Sequence, residues 1–196
     1  MSNKMEVIRS MEELPDDSLV QEAKKDNPDA FTELVCRYQK KIYSTIFQFT
    51  GNHHDTDDLA QETFMNAYKS LQKFREKANF YTWLYRIAVN TTLNFLRRKQ
   101  REKGRKEFVE DQLPSGDAKF SSSSPEYYSL KKELKEKLKK AVDSLPLAYK
   151  MTFILIAFQD MTHGQAARVL RCSEKTVSWR IHKARKILQN KLDPYF

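Results

Sequence analysis

The stretch GNHHDTDDLAQETF, Gly51 to Phe64, sets two histidines beside three aspartates and a glutamate. Imidazole and carboxylate are common ligands of zinc and similar cations, so the first question is whether these side chains converge. At about 100° per residue, a helix from Thr56 to Leu71 gathers Ala60, Phe64, Ala67 and Leu71 on one face. Asp55, Asp58 and Glu62 then fall on the opposite face, with Gln61 flanking them. A metal centre needs ligands that converge inward and are held by supporting partners. This set faces water, and His53 and His54 precede the helix, so no metal site is expected. Two readings of the acids stay open. Asp55, Asp57 and Asp58 complement the positive end of the helix dipole, with Asp55 as the cap. That accounts poorly for Gln61 and Glu62, which lie deeper in the helix. Alternatively Asp58, Gln61 and Glu62, neighbours at i, i+3 and i+4, form a polar face that meets a basic partner helix.

A second set interleaves rings with cations: Phe74, Arg75, Lys77, Asn79, Phe80 and Tyr81. Such a loop can stack on an unpaired base and hydrogen-bond its edge. Equally, Phe74, Phe80 and Trp83 are residues that fill cores, and for Trp83 the core is the favoured place. Downstream, Arg97, Arg98, Lys99, Arg101, Lys103, Arg105 and Lys106 form a run suited to phosphates, or else a solvated helix end.

The third set is DMTHGQAARVLRCSEKTVSWRIHKARKIL, Asp160 to Leu188. A short helix from His163 to Leu170, a turn at Arg171-Cys172 and a longer helix capped by Ser173 are predicted. Ala166, Ala167 and Leu170 pack against Val177, Ile181, Ala184 and Leu188. This is a helix-turn-helix pattern, whose second helix would enter the major groove. A plain helical hairpin has the same pattern. The outward side offers Glu174, Lys175, Thr176, Ser178, Arg180, Lys183 and Arg185; arginine reads guanine edges, while lysine and hydroxyls hold phosphates.

No catalytic constellation accompanies these sets. The sequence has no glycine-rich phosphate loop and no His-Glu-x-x-His, so neither an enzyme nor a cofactor is expected. Cys36 and Cys172 stand alone, which argues against a zinc pair or a disulfide framework and for free thiols in a reducing compartment. The formal charge of +9 favours a polyanionic partner, nucleic acid being the commonest, although a merely basic soluble protein has the same balance. The longest apolar run, Phe153 to Phe158, is too short to span a bilayer, so no membrane insertion is expected. Glu6, Glu12, Glu13, Asp16 and Asp17 are unlike a signal peptide, and the cytoplasm is the default location.

Positioning these sets falls to helices. Glycine is rare, alternating strand patterns are missing, and apolar residues recur at three and four, so the fold class is all-α. One helix starts near Asp17-Ser18. Another starts at Asn27-Pro28, buries Phe31, Leu34, Val35, Tyr38, Ile42, Ile46 and Phe49, and ends at Gly51-Asn52. A long helix runs from Tyr81 to Arg98, with Leu84, Ile87, Ala88, Thr91 and Phe95 on its core face. Then the pattern collapses into LPSGDAKFSSSSP, a serine-rich linker. It resumes near Pro125 with the stripe Leu130, Leu134, Leu138, Ala141, Val142 and Leu145, which Pro146 interrupts. The expected organisation is a frayed acidic tail over 1–15, a helical domain over 16–100, a flexible linker over 101–126 and a second helical domain over 127–196.

Taken together, DDLAQETF, TWLYRIAVN and KTVSWRIHKAR, in that order, resemble the ECF (extracytoplasmic function) subfamily of bacterial sigma factors. The resemblance runs from about Ser18 to Leu192. It implies a region 2 bundle and a region 4 helix-turn-helix, and a protein that binds core RNA polymerase and directs promoter-specific initiation without catalysing a reaction. Asp58, Gln61 and Glu62 would dock on the clamp helices of the beta-prime subunit, and the beta flap would be a second polymerase contact. Phe74, Arg75, Lys77, Asn79 and Phe80 would capture a flipped base of the −10 element. Trp83, Asn90, Arg97 and Arg98 would hold the opened strand. Ser173, Lys175, Thr176, Ser178, Arg180, Lys183 and Arg185 would read the −35 element. An anti-sigma factor is the expected regulator. The chain departs from the pattern in having Gln165-Ala166-Ala167 for Glu-Ile-Ala, Arg171 for a turn glycine, Ser178-Trp179-Arg180 for Lys-Ser-Arg, and Asp57-Asp58 for Glu-Asp. In a left-handed turn position Arg171 would cost about 1 kcal/mol.

Overall fold

The structure, a computed structural model, describes residues 11–75, 79–103 and 136–192. Among these residues every regular element is a helix. The N-terminal half contains α1 (Asp16–Lys24), α2 (Pro28–Thr50), α3 (His53–Ser70) and α4 (Phe80–Lys103), with a 3-10 turn at Leu71–Lys73 after α3. The C-terminal half contains helical residues 136–143, here α5. Then come α6 (Leu147–Ala157), α7 (His163–Leu170) and α8 (Glu174–Leu192). The helix α4 continues through the expected boundary at 100. Leu130, Leu134 and most of the expected linker lie outside the described residues.

Local chemistry sets the helix ends. The Asn27 side chain accepts from the Asp29 N–H at 3.1 Å, Pro28 occupies the first turn, and Gly51 closes α2 in the left-handed region with φ 63°. The helix α3 begins earlier than expected, because Asn52 rather than Asp55 is its cap, accepting from the Asp55 N–H at 3.0 Å. His53 and His54 therefore lie in its first turn. Its buried stripe is Thr56, Leu59, Thr63 and Ala67, with Ala60 and Phe64 half-buried. The threonines tolerate burial because their hydroxyls donate back one turn, Thr56 to the Asn52 carbonyl at 2.6 Å and Thr63 to that of Leu59 at 2.7 Å.

The start of the chain is tied down where it is described. The Arg37 guanidinium donates to the carbonyls of Met11 (3.2 Å) and Glu12 (2.9 Å) while pairing with Asp16 and Glu33. Tyr38 also donates its hydroxyl to Asp16. Residues 11–15, expected to fray, are held by these bonds.

The two halves also pack against each other. One apolar cluster takes Leu34, Ile42 and Leu84 from the first half and Ile154, Met161 and Val169 from the second. The helix α7 packs on α4. This explains why α4 buries more than the face predicted from its own periodicity: Trp83, Tyr85 and Val89 are buried as well as Leu84 and Ala88. Two hydrogen bonds cross the seam, from the Tyr81 hydroxyl to the Gln159 carbonyl (2.8 Å) and from the Tyr85 hydroxyl to Gln159 Oε1 (2.6 Å). A smaller cluster, with Ala141, Val142 and Leu145 against Ala184 and Leu188, fixes α5 on α8.

Candidate nucleic-acid interface

Asp58, Gln61 and Glu62 are all exposed on α3. Asp55 is not part of that face. It turns to α4 and pairs with Lys99 at 2.5 Å, fastening the two helices together. His54 pairs with Asp58 at 3.2 Å in full solvent, and His53 accepts or donates a hydrogen bond with Tyr43 at 2.6 Å. No group of three or more potential metal ligands converges among the described residues. The acidic face continues along the helix into Met65 and Tyr68, which are 49% and 52% exposed. These two were missed by the sequence reasoning. The available signal was helical spacing: Met65 lies at i+4 from Gln61 and i+3 from Glu62, and Tyr68 at i+3 from Met65. Beside Glu62 a cleft of about 490 Å³ opens toward Asn94, Phe95, Arg98 and Arg101 of α4.

The loop before α4 divides its residues between two tasks. Phe74, Phe80 and Trp83 are buried against one another, with ring centroids 4.9 Å apart for Phe74–Trp83 and 5.6 Å for Phe80–Trp83. In this arrangement their faces are filled by protein, so they offer no free ring to a base; the core placement holds for all three. Arg75 and Asn79 are exposed. Asn79 also accepts from the Tyr81 N–H at 2.8 Å and so starts α4. Lys77 lies outside the described residues. Farther along α4, Asn90 is half-buried, while Arg97 and Arg98 are exposed. Arg98 lies over the Phe95 ring, 5.8 Å from its centroid.

The helix-turn-helix forms with the expected boundaries. Thr162 and Gln165 close a reciprocal cap on α7, with bonds of 3.2 Å and 2.9 Å. Arg171 occupies the turn at φ 51° and ψ 46°, the left-handed region anticipated for it. Ser173 accepts from the Thr176 N–H at 3.1 Å and starts α8. Val177, Ile181, Ala184 and Leu188 are buried. On α7, Val169 joins Ala166 and Ala167 in the core because α7 is covered by both α8 and α4.

Among the proposed readers on α8, Lys175, Lys183 and Arg185 are exposed. Four others have partners within the protein. The Ser173 and Thr176 hydroxyls share a hydrogen bond of 2.8 Å, and the Ser178 hydroxyl meets His163 Nδ1 at 3.0 Å. Arg180 is half-buried and leans on the Cys172 sulfur at 3.9 Å. The geometry is that of a positively charged helix displayed on a packed support, with an exposed acidic face elsewhere on the same chain.

Comparison with known proteins gives this geometry a family. The family model for Sigma-70 region 2 matches residues 34–102, and that for Sigma-70, region 4 matches residues 135–188. The ECF RNA polymerase sigma-E factor of Salmonella typhimurium (strain 14028s / SGSC 2262) is 35% identical over 93% of this chain and 97% of its own length. Among solved structures, CnrH in complex with the cytosolic domain of CnrY superposes with a TM-score of 0.67 at 26% identity, covering 91% of this chain and 97% of that one. The sigma factor RpoE of Bartonella quintana, in complex with the anti-sigma factor NepR, shares the fold with a TM-score of 0.64 at 22% identity, over 83% of this chain and 96% of that one. The chain therefore belongs to the ECF family of RNA polymerase sigma factors, which recognise promoters and initiate transcription with core polymerase.

Proposed function

We propose that this sigma factor divides its work between the two exposed surfaces described above. Asp58, Gln61 and Glu62 dock on basic clamp helices of the polymerase beta-prime subunit, and Met65 and Tyr68 extend that contact with apolar area. Arg75, Lys77 and Asn79 approach a −10 base, and Arg97 and Arg98 hold the phosphates of the opened strand; Phe74, Phe80 and Trp83 support this loop from within. The outward face of α8 enters the major groove at the −35 element. The protein acts in the cytoplasm by binding and not by catalysis, the free energy of holding the open strand offsetting that of melting. The carrying observation is the coexistence of an acidic face on α3 and a cationic face on α8, both exposed on one chain.

The shared core bears on regulation. The −10 and −35 elements lie roughly 25 base pairs apart, on the order of 85 Å at 3.4 Å per base pair. Helices packed as α4 and α7 are cannot engage both at once. Residues 104–135 join the halves, and a chain of that length reaches roughly 105–115 Å when fully extended. The halves therefore separate on polymerase, and an anti-sigma factor of the kind that accompanies the RpoE of Bartonella quintana would act by holding them together.

Run-off transcription tests the whole reading. Purified protein is mixed with core bacterial RNA polymerase and a library of promoter fragments. Specific transcripts that depend on the protein are expected. Absence of transcripts, with DNA bound by the protein alone, would replace initiation with a stand-alone regulator.

A further inference from the structure

The outward face of α8 is centred on a residue outside the set of polar readers, and that residue is a tryptophan. The buried line of α8 runs through Val177, Ile181, Ala184 and Leu188. Turning about 100° per residue from that line, the opposite direction passes through Lys175, Trp179 and Lys186, with His182 and Lys183 beside them. All five are exposed. Trp179 is 52% exposed, whereas the chain's other tryptophan, Trp83, is 8% exposed. The core gains little from so large a side chain facing outward.

The ring is nevertheless held. Tyr149 of α6 meets it edge-on, with centroids 5.7 Å apart and planes at 77°. Lys183 Nζ lies 5.9 Å from its centroid. A ring supported from a neighbouring helix keeps its orientation before a ligand arrives. Lys175 precedes it by one helical turn and Lys183 follows by one, so cations bracket an apolar plate. That bracket fits a polyanion whose phosphates flank an apolar feature, and it fits an apolar protein surface poorly.

Building on the sigma-factor reading of α8, we propose that Trp179 reads the upstream promoter element by apolar contact with the 5-methyl group of a thymine. Lysines at i−4 and i+4 grip phosphates on either side and set the depth of the helix in the groove. Indole has one N–H donor and no acceptor. Most base-edge features in the major groove are polar donors or acceptors, which an indole face would leave unpaired. The thymine methyl is the feature that an apolar plate can cover without that penalty. Ser178 and Arg180, on the flanks of the helix, already have partners in His163 and Cys172 and lie nearer the core than Trp179 does.

The test uses the full chain assembled with core RNA polymerase. Duplex fragments are selected from a pool randomised across the upstream element. Each thymine of the selected element, on either strand, is then replaced singly by deoxyuridine, which lacks the methyl. One replacement is expected to weaken binding by the wild-type holoenzyme about fourfold, the effect of one buried methyl-sized group. Trp179→Ala should bind the parent fragment less tightly and lose sensitivity to that replacement, with Trp179→Phe between the two. Because the wild-type arm needs no variant, poor folding of Trp179→Ala leaves the test intact. Equal wild-type affinity for every deoxyuridine fragment, a selected element without thymine, or unchanged sensitivity in Trp179→Ala overturns the assignment of Trp179 alone. Failure of the holoenzyme to select or transcribe any fragment overturns the initiation reading as well.

Discussion

Tyr85 on α4 and Gln159, just beyond the end of α6, are 74 positions apart in sequence, yet the tyrosine hydroxyl donates to Gln159 Oε1 at 2.6 Å from a fully buried residue. Together with the Tyr81 bond to the Gln159 carbonyl, this contact joins the half that carries the acidic face to the half that carries the helix-turn-helix. Removing both hydroxyls in Tyr81→Phe with Tyr85→Phe keeps the rings in the seam and deletes two hydrogen bonds. At about 1 kcal/mol each, the ratio of open to closed protein should rise roughly 30-fold. Small-angle X-ray scattering of the free protein should show a larger radius of gyration; an unchanged one would mean that apolar packing alone holds the halves.

The same tyrosine gives the fold an alkaline limit. Burial, the largest influence, pushes the Tyr85 hydroxyl well above its ordinary value near 10, and burial followed by the bond to Asp16 does the same for Tyr38. Both groups hold their protons more tightly when folded. Their contribution to stability is therefore complete below about pH 10 and is lost as pH rises above it, because the unfolded chain releases those protons first. The urea midpoint should fall steadily above pH 10, and Tyr85→Phe should fall less steeply. A parallel decline in both proteins would assign the effect elsewhere.

Lys150 of α6 is 5% exposed at its side chain and bonds Asp143 of α5 at 2.7 Å. Asp143→Ala leaves a buried ammonium without its partner and should destabilise by about 3–5 kcal/mol. Lys150→Met with Asp143→Leu removes both charges and should lie close to wild type. Chemical denaturation of the two variants separates a pair that stabilises from one that is merely costly to break.

Arg171 holds a left-handed conformation for which glycine has no steric penalty. Its side chain is exposed. Arg171→Gly should raise stability by about 1 kcal/mol, seen as a higher melting temperature. A decrease would show that the arginine side chain contributes more than its backbone strain removes.

Asp58→Ala with Glu62→Ala should weaken association with core polymerase while leaving the unfolding free energy within about 0.5 kcal/mol of wild type, as expected for exposed positions. Asp55→Ala is the contrasting change. It breaks the bond to Lys99 and should act first on stability. Equal polymerase affinity for wild type and the Asp58/Glu62 double variant would remove these residues from the docking surface.

Helix type, the Asn27 and Ser173 caps, the Gly51 stop and the helix-turn-helix pairing were legible in the sequence, because each rests on residues within about one or two turns of one another. The outward set of Asp58, Gln61 and Glu62 was legible for the same reason: helical spacing alone places it. Other features were not. Asp55 looked like a cap until Asn52 took that place and Lys99, from another helix, took its carboxylate. Phe74 and Phe80 looked equally able to stack on a base or to fill a core, and only their packing against each other and against Trp83 decides it. Trp179 was visible in the chain, but its place at the centre of an outward face, steadied by Tyr149 from α6, belongs to the tertiary structure. So does the apolar cluster through which the two expected halves touch. Periodicity reports which face of a helix is apolar; it cannot report which distant surface covers that face, since that depends on shape complementarity between segments the sequence keeps apart.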